Sequence, residues 1–445
     1  MVTLEERTRF GKSRRDVVSR VAQADLRPGQ RSFDPLEVLR AAEHGRIPRL
    51  LPLKYARMKV SPFAFFRGSV SIMAADLARL PHSGLPVQLC GDAHVQNLGS
   101  FATPDGGLVF DINDFDETIR GPWEWDVKRM AASIVLAGRE SGHGRGGGRA
   151  AAEVFVTSYA RSVARFSREP ILVVARHQIR RVERTRPIHA ALRQSQRSSS
   201  LELFRKLTES GREGKPRFRH APPEFWRATG ATTKVVLASL KEYRRSLAPE
   251  RLHLFDLFRA IDVGFKVVGT GSVGLRNYVV ALEGNGKKDP LFLQIKQEEP
   301  SAYAQYLPKQ IYRHQGRRAA EGQRAIQPIS DLLVGWTTVG PHDYLVRQLN
   351  DHKGSIDLST LQGAGLNSLA VVAGELLARG HARSGDAAEI HGYCGSGKKI
   401  TAALRDFACS YADQAEHDYD VFLKAIKLGK FRVSEATSFA ASSSR

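Results

Sequence analysis

Apolar positions along the chain change their spacing several times, and each change marks a region. Residues 1–60 are polar with helical spacing and end in the basic stretch 50–59, where Pro48 and Pro52 interrupt any continuous helix. Residues 61–140 are denser. SPFAFFRG and MAADLARL have helical spacing, and the apolar run LPVQLC opens into GDAHVQN. A second run, GLVFDI, enters NDFDE before DVKRMAASIVLAGRE returns to helix. SGHGRGGGRA, residues 141–150, reads as a flexible joint, and 146–254 as a basic helical segment. From 263 the pattern turns to Val, Leu, Ile and aromatic runs. VGFKVVGTGSVGLRNYVVALEG and DPLFLQIKQ, with turn signals at 284–286 and at Asp289-Pro290, predict a strand pair. A helix is expected over 303–327, two strands in WTTVGPHDYLVRQL, and helices over 361–382 and 400–427. The resulting organisation is a lead-in (1–60), loop-bearing part of a helical lobe (61–145), basic segment (146–254), small β lobe (255–352), completion of the helical lobe (353–430) and flexible tail (431–445).

A chain of 445 residues exceeds what one small core fills, so this α+β pattern predicts two lobes. Hydrophobic residues at 42% and charged residues at 25% are ordinary for a globular protein. The start, MVTLEERTRFGKSRRD, has no apolar run of signal-peptide length, and no segment approaches the roughly 20 apolar residues a membrane span needs. A cytoplasmic location is expected. Cys90, Cys394 and Cys409 lack zinc-site spacing and disulfide density, and read as reduced thiols. The net charge of +21 favours anionic partners: nucleotide, phosphorylated substrate, nucleic acid or an anionic surface. Much of that charge lies between 161 and 219, where a solvated helical face is the competing explanation.

Gly269-Thr-Gly271-Ser272-Val-Gly274 is a GxGxxG turn followed by β-favouring residues rather than by the helix a dinucleotide site requires. Strand, glycine loop, strand is the arrangement that covers ATP phosphates in protein kinases, with a bulged hairpin as the plainer reading. Lys296 sits inside the apolar run LFLQIK, where an ammonium needs an anion. In kinases such a lysine binds phosphate and pairs with a glutamate on the next helix, which selects Glu321, with Glu298 and Glu299 as nearer alternatives.

In Gly91-Asp92-Ala-His94-Val-Gln-Asn97 an aspartate precedes an asparagine by five residues in a loop after an apolar strand. Asp92 suits a carboxylate that orients a substrate hydroxyl, Asn97 an amide oxygen that holds Mg²⁺, and His94 joins Asp92 as a candidate catalytic residue. Asp111, Asp114, Asp116 and Glu117 form a second cluster whose mutual repulsion calls for a cation.

The series GDAHVQN, FDINDFDE and GPWEWD resembles the aminoglycoside phosphotransferase and choline kinase branch of the kinase-like superfamily. The resemblance implies a two-lobed ATP- and Mg²⁺-dependent phosphotransferase with Asp92 catalytic, Asn97 a metal ligand and Asp126 a structural aspartate at a helix start. Asp114 fits the metal aspartate by its spacing to Asp126, and Asp111 by its spacing from Asn97. Over nearly its whole length the chain also resembles a bacterial family of unassigned function, domain of unknown function 2252, through SPFAFFRG, CGDAHVQN, FDINDFDET, GPWEWDVKR, VGTGSVGLRNY, LFLQIKQ and ARGHARSGD.

Kinases place the glycine loop and lysine before the catalytic aspartate, whereas here they follow it by about 180 residues, so a circularly permuted order is implied. Arg67 is a further candidate for phosphate or for the acidic cluster. The segment 392–399 approaches a P-loop but has Lys399 where the hydroxyl belongs, and no serine stands in a nucleophile elbow. Rival readings are nucleotidyl transfer with the same parts, and a nonenzymatic nucleotide-sensing or nucleic-acid-binding scaffold.

Overall fold

The computed structural model describes residues 2–26, 31–179, 185–197, 200–211, 216–286, 288–308, 312–349 and 354–434. Its largest sheet is antiparallel and six-stranded, in the order Gly335–Val339, His342–Gln348, Pro290–Glu298, Asn277–Glu283, Arg259–Lys266 and Phe225–Arg227. The central strand Pro290–Glu298 is buried along almost its whole length. Its period of two sends Leu291, Leu293 and Ile295 into one core with Val236 and Tyr243 of the helix Gly230–Ser246, while Phe292 packs on the opposite face with Phe218 and Phe225. Lys296, opposite Asn277 and Leu345, shares the face of Phe292 and so points away from the covering helix.

The helical half is built on Trp123–Glu140, Gly144–Phe166, Gly365–Ser384 and Lys398–Lys427, around one large core. Gly374 permits the close crossing of two of these helices, since a Cβ there would meet the Phe155 carbonyl. Two small ribbons project the loops of interest. Pro86–Leu89 pairs with Ile119–Pro122, and Leu98–Ala102 pairs with Leu108–Ile112 and Gly354–Ser355.

Several expectations are corrected. The glycine-rich 141–150 stretch is not a joint: from Gly144 it is helix, and Gly148 lies against Val135 of the preceding helix. Close packing between helices overrides the local cost of glycine. The helix expected over 303–327 is confined to Gln315–Ile326, after a short 3₁₀ turn at Ala304–Tyr306. The six-stranded sheet takes its edge strand and covering helix from 225–246, within the stretch read as purely basic and helical.

Residues 35–58, within the stretch 1–60 read as a polar lead-in, pack into two cores. Leu50 and Leu53 enter the β-lobe core, and Leu36, Leu39, Tyr55, Met58 and Phe65 join Phe422 and Phe431 of the C-terminal region. The tail from 435 lies outside the described residues. No helix among the described residues is long and apolar enough to cross a membrane.

Candidate functional site

The loop 90–97 is stapled at both ends. Pro122 precedes the helix Trp123–Glu140, which places Asp126 in its first turn, where a carboxylate is favoured. Asp126 accepts the amide N–H of Cys90 at 2.8 Å and that of Gly91 at 3.0 Å. Gly91 has φ +86° and no room for a Cβ against Glu117, and its carbonyl accepts from the Tyr303 hydroxyl. Ser133 accepts from the Val95 amide, and Asn97 Nδ2 donates to the Asp92 carbonyl at 2.8 Å.

Arg129 donates from Nε to Asp92 Oδ1 at 2.7 Å, which leaves Oδ2 outside that bond. Burial raises the Asp92 carboxyl and Arg129 pulls it back down, the net shift being upward. His94 Nε2 is 3.6 Å from Asp92 Oδ2, beyond hydrogen-bond distance. Burial, reinforced by Arg67 and Arg129, depresses His94 well below its usual range, so the ring is neutral. It edges Phe63 and braces the loop.

The second acidic loop is tied to the first by the Asn113 amide, which donates to the Asn97 carbonyl at 2.8 Å. Within it the aspartates separate. Asp111 is buried on the strand Leu108–Ile112 and holds a two-pronged pair with the buried Arg379, at 2.6 and 3.0 Å. Its side chain faces the helical core, so the metal role considered for Asp111 is not supported by its position. Asp114 and Asp116 turn instead toward the β lobe. Lys296 Nζ lies 3.5 Å from Asp114 Oδ1 and makes a short ion pair with Asp116, while the Ser272 hydroxyl donates to Asp116 Oδ2 at 3.0 Å. Burial alone would pull the Lys296 ammonium down, but Asp114, Asp116 and Glu298 more than offset it and hold it charged. Burial and neighbouring Asp114 push Asp116 upward against the pull of Lys296.

The glycine loop needs its glycines at Gly269 and Gly274, which have φ of +64° and +97°. Arg46 donates to the carbonyls of Gly271 at 2.7 Å and Val273 at 2.6 Å, Arg57 to that of Gly269, and the Ile47 amide to that of Gly274. The carbonyls are thus taken by residues of the segment 46–57. No hydrogen bond from the amides of 270–273 occurs among the described residues.

One cleft of about 480 Å³ collects these parts. Asp92, His94, Asn97 and Asp114 line it with Gly269, Gly271 and Ser272, and Asp116 carries Lys296 to its edge. Glu321 is not there. It is exposed on the helix Gln315–Ile326 and pairs with Arg317 one turn away, so the partner chosen for Lys296 is corrected to Asp116 and Asp114. Arg318, a buried residue of that helix, donates to the carbonyls of Thr118, Asp116 and Glu299 and fixes the acidic loop.

The approximate P-loop is a helix-to-helix turn whose carbonyls at Tyr393 and Cys394 accept from Arg15 and Arg20. Arg129 and Arg318 were missed in the sequence. A signal for the first was present, because Asp126 and Arg129 are one helical turn apart on one face. No group of three or more His, Cys, Asp or Glu able to hold a metal occurs among the described residues.

Fold and site define an α+β protein whose helical part presents two acidic loops to a glycine-loop sheet. The chain belongs to the bacterial family described as "Uncharacterized protein conserved in bacteria (DUF2252)", whose model matches residues 46–425. No curated protein and no solved structure matches it.

Proposed function

We propose that this chain is an ATP- and Mg²⁺-dependent phosphotransferase of protein-kinase-like type, with the order of its lobes circularly permuted, acting on a hydroxyl or amine acceptor. The observation that carries the reading is the meeting of Lys296 with Asp114 and Asp116, and of Ser272 with Asp116, across more than 150 residues of chain. A glycine loop, a charged buried lysine and a stapled Asp-to-Asn loop on one cleft are the parts phosphoryl transfer needs, since it depends on positioning and charge neutralisation.

The amides of 270–273 would cradle phosphate oxygens, as consecutive main-chain N–H groups do. Lys296 would exchange Asp116 for the nucleotide's phosphates. Asp92 Oδ2 would orient the acceptor. Mg²⁺ suits the donors present: it is commonly held by one or two carboxylates plus substrate phosphate, so a three-carboxylate cage is not required. Asp116 Oδ1 is buried without a hydrogen-bond partner, an oxygen still to be satisfied in this cleft. Asn97 and Asp114 would hold the cation, which supplies neutralisation of phosphate charge.

Titration calorimetry with ATP and Mg²⁺ tests the reading. Binding is expected, weakened at least tenfold by Lys296→Ala and by Asp114→Asn, with Asp92→Asn retaining affinity while turnover falls by orders of magnitude. Absence of nucleotide binding with and without Mg²⁺ overturns it. Salt-sensitive nucleic-acid binding untouched by these substitutions would favour the scaffold reading instead.

A further inference from the structure

The segment that follows the helix Gly144–Phe166 carries an uncovered apolar ridge. Ile171, Leu172 and Val173 are exposed by 80%, 66% and 51%, three consecutive aliphatic side chains facing water. Single exposed aliphatics are ordinary on a protein surface, but an unbroken run of three is a feature that function has to explain. The ridge is held in place. Pro170 precedes the helix Ile171–Arg176, Val174 of that helix is buried in the helical core, Arg383 donates to the Ala175 carbonyl, and the His177 ring packs on Phe166.

Arginines flank the ridge in sequence on both sides. Arg161, Arg165 and Arg168 border one shallow hollow with Glu169, just before Ile171, and Arg176 follows Leu172 by one helical turn. Two carboxylates oppose them: Arg165 pairs with Glu375 at 2.8 Å and with Glu169 at 3.4 Å, and His177 Nε2 meets Glu375 at 2.8 Å. Four arginines against these two carboxylates leave a surplus of two positive charges even with His177 neutral. Arg161, Arg168 and Arg176 make no ion pair among the described residues. The surplus is felt next door, where burial depresses the His391 ring below its usual range and Arg168 and Arg15 depress it further, with no carboxylate opposing them.

We propose that the ridge 171–173 and its arginines form a docking surface for a membrane with anionic headgroups, the aliphatic side chains entering the headgroup boundary and Arg161, Arg168 and Arg176 meeting lipid phosphates. Size and composition select this occupant. A stable protein interface buries about 800 Å² on each partner and enriches aromatic residues and Met at its centre, whereas this ridge is three aliphatic side chains. Nucleic acid rewards the charge but gives the aliphatic chains little. A bilayer surface uses both, because peripheral attachment adds shallow apolar burial to the attraction of arginine for anionic lipid, and an arginine stem can lie along apolar surface while its head meets phosphate. The net charge of +21 adds attraction at longer range. The surface lies beyond the phosphotransferase reading and uses none of the residues on which that reading stands.

Flotation of the full chain with lipid vesicles is the test. Wild type is expected to bind vesicles of equal parts phosphatidylglycerol and phosphatidylcholine at least tenfold more tightly than phosphatidylcholine alone, and to be released by added salt. Ile171→Ser combined with Leu172→Ser should weaken binding to the anionic vesicles at least tenfold, and Arg161→Gln combined with Arg176→Gln at least fivefold with a shallower salt dependence. All four positions are exposed, so urea midpoints should match wild type; if either double variant fails to fold, Leu172→Asn and Arg176→Gln singly carry the same two comparisons. Absence of binding to the anionic vesicles overturns the proposal. So does binding of the serine variant within twofold of wild type, which would assign attachment to the general basic charge of the chain. Sedimentation without lipid covers the other protein occupant: a concentration-dependent dimer that the serine variant loses, with no vesicle binding, gives the ridge to a second copy of the chain and likewise overturns it.

Discussion

The two loops that meet in the cleft are held in opposite ways. Loop 90–97 is anchored from within its own lobe. Asp126 accepts two of its amides, Ser133 a third, and Arg129 grips Asp92, all from the single helix Trp123–Glu140. The glycine loop is anchored from outside its sheet, by Arg46, Arg57 and Ile47 of an arm that precedes the β lobe by some 200 residues. The first loop has the N–H groups of Cys90, Gly91 and Val95 taken by side chains. The second has its carbonyls taken, and no hydrogen bond from its amides at 270–273 occurs among the described residues. One loop is thus a fixed platform, while the other is posed by an arm that also lines the cleft.

Breaking the platform should cost most. Asp126→Ala leaves the Cys90 and Gly91 amides buried without an acceptor, at about 1–3 kcal/mol each, so urea denaturation should register a loss of about 2–6 kcal/mol. A loss below about 1 kcal/mol would mean that the loop is held mainly by something else. Asp111→Ala follows. It strands Arg379, 0% exposed, and should destabilise by about 3–5 kcal/mol, as removal of one partner of a buried pair does. The nucleotide affinity of the molecules that remain folded should not change, which distinguishes Asp111 from Asp114.

Arg46→Ala sharpens the comparison from the other side. It frees the Gly271 and Val273 carbonyls at a partly solvated edge, so the expected stability loss is only about 1–2 kcal/mol. ATP affinity should nevertheless fall roughly tenfold, the equivalent of about 1.4 kcal/mol, because the loop must be re-ordered on binding. Unchanged affinity would show that the arm does not pose the loop.

What was legible in the sequence divides along the same line. Lys296 stood out because a charge inside an apolar β run has few explanations, and Asp92, Asn97 and Asp126 because fixed spacing in a loop and at a helix start is itself a pattern. The strands at 259–298 and 335–348 followed from their β-type composition and turn signals. The anchoring arginines were not legible. Arg46, Arg57 and Arg318 donate to main-chain carbonyls, and a carbonyl has no residue type to be matched with. In a chain with 67 Lys and Arg, nothing local distinguishes a buried clamp from a solvated charge. The choice between Asp111 and Asp114 was likewise open, because it turns on which face of a short strand meets the distant helix bearing Arg379.

The smallest effect is expected at Glu321, the residue that kinase order selected as the lysine's partner. On the helix Gln315–Ile326 the buried side holds the small residues Gly316, Ala319, Ala320 and Gly322 together with Arg318, Gln323 and Ile326. Arg318 reaches the Thr118 carbonyl, and Gly322 leaves room for the Thr118 side chain. Glu321 lies off that face with its side chain 47% exposed, paired with Arg317 at 59%, and such exposed i,i+4 pairs contribute about 0.3–0.5 kcal/mol. Glu321→Gln should therefore shift stability by no more than about 0.5 kcal/mol and leave ATP binding unaltered. Arg318→Met, by contrast, removes the donor to three carbonyls that shape the acidic loop, and should depress both stability and Mg·ATP affinity. If Glu321→Gln weakened nucleotide binding tenfold while Arg318→Met did not, Lys296 would have to leave the aspartates for Glu321 when nucleotide binds, and the helix would have to turn its exposed face inward to let it.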